Sequence, residues 1–85
     1  MNKNKYLSIN NAFNIALANH KKNRLREAQI LYNNILKIKP DHSQVHNNLG
    51  VIFAQLGEDQ KAKESYEKVI KINPNNVEAH NNLGV

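Results

Sequence analysis

The chain has 85 residues, enough for one small domain, and its formal charge is +5. The basic excess lies in the first half: residues 1–42 carry eight basic and two acidic side chains, whereas residues 43–85 carry four and five. The absence of cysteine excludes disulfides and thiolate metal sites, and no apolar run is long enough for a membrane span or the core of a signal peptide.

The first predicted helix spans residues 9–22. Its apolar stripe recurs near the helical period and consists of Ala12, Ile15, Ala16 and Ala18, with Phe13 and Leu17 widening it. Residues 1–8 form either a short N-terminal tail or a first turn that extends this helix. Asn23 follows, and asparagine tolerates the left-handed conformation that ends many helices.

A second helix is predicted over residues 24–38. Its apolar stripe consists of Leu25, Ala28, Leu31, Tyr32, Ile35, Leu36 and Ile38. Pro40 ends this helix because the residue before a proline is disfavoured in helical geometry.

A third helix is predicted over residues 43–56, with Asp41 or Ser43 as its N-cap and Gly57 as its C-terminal stop. A fourth helix follows over residues 59–72. Asp59 is its expected cap and Pro74 its end, and a fifth helix begins near Val77. Because the connections are short, neighbouring helices are expected to be antiparallel.

The hexapeptide HNNLGV at residues 46–51 recurs unchanged at residues 80–85, 34 positions later, which indicates a repeat architecture. The unit 43–76 carries the marks of one repeat family at the right spacing: Leu49, Gly50, Phe53, Ala62, Tyr66 and Pro74, with His46 where that family has Trp. The sequence therefore resembles the tetratricopeptide repeat family. The resemblance implies an all-α fold, a right-handed α-solenoid of antiparallel helix pairs.

The resemblance divides the chain into about two and a half repeats. Residues 1–8 are a tail, 9–42 the first repeat, 43–76 the second, and 77–85 the first part of a truncated third that includes Leu83 and Gly84. The first repeat keeps Ala28, Tyr32 and Pro40 but departs from the pattern in its first helix. Gly50 and Ala62 are expected to be small because the two helices of a repeat cross there.

In this family the first helix of each repeat lines a concave groove. The corresponding residues are Asn10, Asn14, Leu17 and Lys21 in the first repeat, Gln44, Asn48, Val51 and Gln55 in the second, and Glu78, Asn82 and Val85 in the third. Asn14, Asn48 and Asn82 recur at the spacing of the repeat, similar to the asparagine ladder of O-linked N-acetylglucosamine transferases, and an asparagine amide can hold a peptide backbone. The alternative is that these asparagines are only hydrated. A carboxylate clamp of Lys, Asn and Arg is less favoured, since only Lys21 supplies a cation to this set.

The function that follows from the resemblance is a protein–protein interaction scaffold that binds a peptide or extended partner segment in the groove. The alternative is a structural or oligomerisation arm at the N-terminus of a larger protein, such as a glycosyltransferase-like enzyme. Because the third repeat stops within its first helix, Leu83, Ile70 and Ile72 are expected to be partly uncovered. We therefore expect the chain to be a piece of a longer protein, to form a homo-oligomer through this open end, or both.

The basic first half could meet an acidic partner, nucleic acid or a membrane surface, or it could be only a solvated face. Nucleic acid is not favoured because no aromatic residue interleaves with Lys21, Lys22, Arg24 and Arg26.

No catalytic constellation, cofactor motif or metal-ligand spacing is present in the sequence, so we expect neither an enzyme nor a metal site. His46 and His80 are expected to pack between helices, with His20 and His42 in solvent. A cytoplasmic location is expected.

Overall fold

The structure is a computed structural model that describes the backbone of residues 2–83 and the side chains of residues 8–83. Five helices follow in order: α1 (Asn2–Lys21), α2 (Leu25–Ile38), α3 (Ser43–Gln55), α4 (Asp59–Ile72) and α5 (Val77–Asn82). No strand occurs among these described residues, and the all-α fold class expected from the sequence is confirmed. Contacts divide the chain into two compact units with a boundary between Pro40 and Asp41. Unit 1 contains α1 and α2, and unit 2 contains α3, α4 and α5.

Helix α1 of unit 1 is longer than the helix predicted from residue 9, because residues 2–8 continue it. Its buried positions also differ in part from the predicted stripe. Ile9 and Ala16 are buried, whereas Ile15 is 54% exposed and Ala18 is also exposed. The four residues of the predicted stripe span too wide an arc for all of them to face α2.

The other helix of unit 1, α2, buries Ala28, Tyr32 and Ile35 at positions i, i+4 and i+7, as its predicted stripe requires. The Tyr32 ring meets the Phe13 ring of α1 at a centroid distance of 5.9 Å and an interplanar angle of 59°. This tilted aromatic pair lies within the contact between the two helices.

In unit 2, α4 packs against both α3 and α5. The buried apolar side chains of unit 2 are Val45, Leu49 and Ile52 of α3, Ala62, Tyr66 and Val69 of α4, and Ala79 of α5. The expected close approach at Gly50 is present. A Cβ atom added there would lie 2.7 Å from Cζ of Tyr66, 2.8 Å from its Cδ1, and nearer still to Cε1. Glycine thus makes room for an aromatic ring.

The turn inside each complete helix pair has the same backbone. Asn23 has φ 63°, and Gly57, at the equivalent position of the next repeat, has φ 77°. The N–H of the next residue bonds back across the helix end in both turns, from Arg24 to the Asn19 carbonyl and from Glu58 to the Phe53 carbonyl, at 2.8 Å each. Both predicted helix stops are confirmed, and each uses a residue type that tolerates positive φ.

The predicted N-caps of α3 and α4 are wrong. His42 caps α3, since its Nδ1 accepts the Val45 N–H at 3.3 Å, and neither Asp41 nor Ser43 takes this place. Asn76, at the equivalent position one repeat later, caps α5 in the same way through Oδ1 and the Ala79 N–H at 2.8 Å. Asp59 lies inside the first turn of α4, where its charge suits the helix dipole, and Glu58 precedes it without a side-chain cap bond.

Candidate functional site

The predicted groove residues that the structure describes lie on α1, α3 and α5, and each of them retains exposed surface. In unit 1 they form what we call the α1 face: Asn10, Asn14, Leu17 and Lys21. In unit 2 they form the α3–α5 face: Gln44, Asn48, Val51, Gln55, Glu78 and Asn82. Val85 and Gly84 lie outside the described residues.

The α3–α5 face is organised by Asn47, a residue outside the predicted groove set. Asn47 is only 8% exposed and lies on α3, and its Nδ2 donates to Oε1 of Glu78 on α5 at 2.9 Å. Its Oδ1 accepts a longer bond, 3.5 Å, from Nδ2 of Asn82. One buried amide therefore joins two of the predicted groove residues.

A signal for Asn47 existed in the sequence. It stands in the repeated hexapeptide, directly before the predicted ladder residue Asn48, and its counterpart in the second copy is Asn81. A buried amide must be hydrogen-bonded, so Asn47 needs a partner once it is buried, but the sequence alone does not say which of the two adjacent asparagines is buried. The identity of that partner, Glu78, depends on how α5 packs and could not be read from spacing.

Hydrogen bonding to Asn47 limits what the neighbouring side chains can still offer. Glu78 uses one carboxylate oxygen for this bond and remains exposed. Asn82 uses one of its two N–H donors, and its carbonyl oxygen makes no other hydrogen bond among the described residues. The α3–α5 face thus presents the Glu78 carboxylate, held in place by one hydrogen bond, and the Asn82 amide, which retains one N–H donor and its carbonyl acceptor.

Tyr66 lies near this carboxylate. Burial raises the pKa of its phenol above the ordinary value of 10.0, and the negative charge of Glu78 raises it further. Tyr66 is 5% exposed and, with Asn82 and Leu83, lines a cavity of about 530 Å³. A tyrosine is neutral at physiological pH even with its ordinary pKa, so these two effects extend the pH range over which Tyr66 stays protonated.

The histidines serve the fold. His46 is buried, at 6% exposure, in agreement with its expected packing role. His80 is half-buried, and its Nε2 lies 2.9 Å from the Pro74 carbonyl oxygen in the turn before its own helix. The expectation that His42 and His20 are solvated is wrong, because both are half-buried and His42 caps α3. Among residues 2–83, no group of three or more His, Cys, Asp or Glu residues converges as a metal site would require.

Two models of one family match the chain, both described as the tetratricopeptide repeat. One matches residues 9–42 and the other residues 43–76. The chain belongs to the tetratricopeptide repeat family. Repeats of this family generally mediate protein–protein interaction and are generally not catalytic.

Solved structures show the same fold. A crystal structure of MamA superposes with a TM-score of 0.86 at 24% sequence identity, covering 89% of this chain. The chain spans 44% of the MamA chain, less than half of its length. No curated protein sequence matches the chain. In the described part of this tetratricopeptide chain, no helix is long and apolar enough to cross a membrane.

Proposed function

We propose that the chain binds an extended segment of a partner protein on the first helices of its repeats, with the α3–α5 face as one contact surface. The observation that carries this proposal is the Asn47 network. A buried amide fixes Glu78 and Asn82 on a helix face whose other predicted members remain at least partly exposed.

The chemistry of this face suits a peptide in extended conformation. Such a segment presents backbone N–H and C=O groups along its length, and each must find a partner when it is covered. A carboxylate oxygen of Glu78 accepts an N–H, and the free donor and acceptor of Asn82 match one C=O and one N–H. Because these contacts address the backbone, they tolerate different side chains.

The ordering cost also favours this surface. Glu78 is held by a 2.9 Å hydrogen bond before any partner arrives, so less side-chain entropy is lost on binding. The α1 face has the same helical spacing, with Asn10 and Asn14 exposed, but among the described residues no buried amide links its side chains as Asn47 links Glu78 and Asn82. We therefore expect the α3–α5 face to contribute more affinity per residue.

The test begins by selecting binders of the full chain from a library of displayed 12-residue peptides. The selected peptides are then titrated against the double variant Asn48→Ala/Asn82→Ala by fluorescence anisotropy. Removing two backbone contacts at about 1 kcal/mol each should weaken binding roughly tenfold or more. The matched control is Asn33→Ala/Asn34→Ala, which removes two exposed asparagines from α2. Equal affinities for the two variants would overturn the proposal.

A second candidate function is a structural or oligomerisation arm. It is favoured by apolar side chains that unit 2 leaves uncovered, since Ile72 is 41% and Val77 is 70% exposed. The property that tests this candidate is self-association of the chain through unit 2.

A further inference from the structure

The turn between α1 and α2 carries a concentration of positive charge that the fold does not require. Lys21, Lys22, Arg24 and Arg26 fall within six residues, and all four are exposed. We call these four residues the basic turn. Lys21, Lys22 and Arg24 form no ion pair among the described residues, and Arg26 donates to Oε1 of Gln29 at 3.0 Å.

The second repeat provides an internal comparison. Its α3–α4 turn has the same positive φ at the same position and the same 2.8 Å hydrogen bond across the helix end. At the positions of Lys21, Lys22, Arg24 and Arg26 it has Gln55, Leu56, Glu58 and Gln60, and Asp59 stands in place of Leu25. One backbone therefore forms with either sign of charge, so the cations of the basic turn are not explained by turn formation.

Four backbone hydrogen bonds hold the basic turn. The Lys22 N–H bonds to the Ala18 and Asn19 carbonyls at 3.1 Å each, the Asn23 N–H to the His20 carbonyl at 3.0 Å, and the Arg24 N–H to the Asn19 carbonyl at 2.8 Å. Like charges concentrated on a fixed backbone repel one another, and an anion that bridges them relieves this repulsion.

We propose that the basic turn is an interaction surface for an acidic segment of a partner protein, a stretch rich in Asp and Glu. Lys21 is both the last residue of the α1 face and the first of the basic turn. A segment that lies along α1 towards its C-terminal end therefore reaches the turn directly. This inference extends the proposed function, because it assigns a charge to the partner at one end of α1.

An acidic protein segment fits the turn better than nucleic acid or a membrane. No Phe, Tyr or Trp lies within residues 20–27 to stack on a base, and the nearest apolar side chain, Leu25, is half-buried and cannot enter a lipid layer. Carboxylates need only charge and N–H donors, which the four cations supply. The family itself is one of protein-interaction modules.

The test uses the full chain and a fluorescent 12-residue oligoglutamate as the probe, with oligoglutamine as the neutral probe. The turn variant is Lys22→Gln/Arg24→Gln/Arg26→Gln, which leaves the α1 face intact. The control variant, Lys63→Gln/Lys68→Gln/Lys71→Gln, removes the same charge from exposed positions on α4. We expect oligoglutamate binding that weakens with salt, a loss of about tenfold in the turn variant, and little change in the control.

Three results would overturn the proposal. Absence of oligoglutamate binding would make the basic turn a solvated surface only. Equal losses in the turn and control variants would assign binding to net charge alone. Tighter binding to duplex DNA or to phosphatidylserine vesicles, lost in the turn variant, would assign the surface to phosphates.

The two proposals fail separately. The variant Asn48→Ala/Asn82→Ala changes unit 2 and leaves the basic turn untouched, so oligoglutamate binding should persist in it. Loss of library-peptide binding with retained oligoglutamate binding, or the reverse, shows which proposal has failed.

Discussion

At the scale of single residues, the marks of the repeat have physical causes that the structure makes explicit. Gly50 is small because the Tyr66 ring occupies the place of a side chain. The sequence predicted the need for a small residue but not its partner, because spacing along the chain does not say which side chain fills a gap. Asn47 shows the same limit: its burial follows from packing against α5, which no local pattern encodes.

Replacing Gly50 with alanine should destabilise the protein. The added Cβ would lie within 3 Å of the buried Tyr66 ring, and such overpacking costs about 1–3 kcal/mol, against a gain of about 1 kcal/mol from the higher helix propensity of alanine. Urea denaturation should therefore show a net loss of up to about 2 kcal/mol.

The control for Gly50 is a double-mutant cycle. In a Tyr66→Leu background the ring is gone, so Gly50→Ala should cost much less or stabilise the chain. If the cost is the same in both backgrounds, the close approach of the ring is not its cause.

Replacing Glu78 with glutamine should lower the pKa of Tyr66. The negative charge that disfavours the phenolate is removed, whereas burial, the larger cause, remains, so the pKa should stay above its ordinary value. Ultraviolet titration of phenolate absorbance measures this shift. Subtracting the curve of Tyr66→Phe removes the contributions of Tyr6 and Tyr32. An unchanged titration would contradict the proximity of Glu78.

The same shift gives a sign for stability at high pH. Because the folded state holds Tyr66 protonated above the pH at which the unfolded chain ionises, its contribution is complete below about pH 10 and is lost as pH rises through the raised pKa. Tyr66→Phe should therefore lose less stability than the wild type between neutral and strongly alkaline pH. Guanidinium denaturation at both pH values provides the comparison.

At the scale of helices, the stops and the first residues of α3, α4 and α5 were predictable, whereas the N-capping side chains were not. Asn23 and Gly57 end their helices in the left-handed region of backbone conformation. Few residue types adopt this conformation without strain, so the residue type itself indicates where the helix ends. Many residues can act as N-caps, and Asp41, Ser43 and Asp59 were chosen on type alone. The period would have helped, since His42 and Asn76 occupy equivalent positions of successive repeats and use the same bond.

Exchanging the residues at the two stops should separate backbone strain from packing. Nothing lies within 4 Å of a Cβ atom added at Gly57, so Gly57→Ala should lose about 1 kcal/mol through positive φ alone. Gly57→Asn should lose less, since Asn23 already holds this conformation, and Asn23→Gly should be neutral or slightly stabilising. Thermal and urea denaturation measure these differences. Equal losses for Gly57→Ala and Gly57→Asn would refute the argument.

At the scale of the whole molecule, the sequence predicted the class of fold because the repeat period runs through most of it, and the family match agrees. The sequence did not predict which side-chain groups on the groove surface remain available to bind a partner. Six predicted groove residues share the α3–α5 face, yet side-chain hydrogen bonds within the chain already occupy part of Glu78 and Asn82. Polarity and register predict where a surface lies, whereas the groups left free on it depend on contacts between helices.

Self-association through unit 2 remains a prediction at this scale. Exposed apolar side chains near the α4–α5 turn, Ile72 among them, lose contact with water when two copies meet there. Light scattering over a range of concentrations should show an increase in mean mass, which Ile72→Lys should reduce. Ile30→Lys is the control, because Ile30 is 61% exposed on α2 in unit 1. A chain that stays monomeric at high concentration would exclude this assembly.

The shared turn backbone also makes the two turns exchangeable parts. Residues 21–26 and 55–60 differ in charge but have equal length and the same left-handed position, so the backbone of either turn can carry the other segment, although Asp and Lys then replace the half-buried Leu25 and Leu56. Swapping the two segments would give a protein of identical composition in which the basic excess lies in the second half of the chain instead of the first. Moving the basic segment from one turn to the other should therefore move the binding of an acidic partner from one repeat to the other.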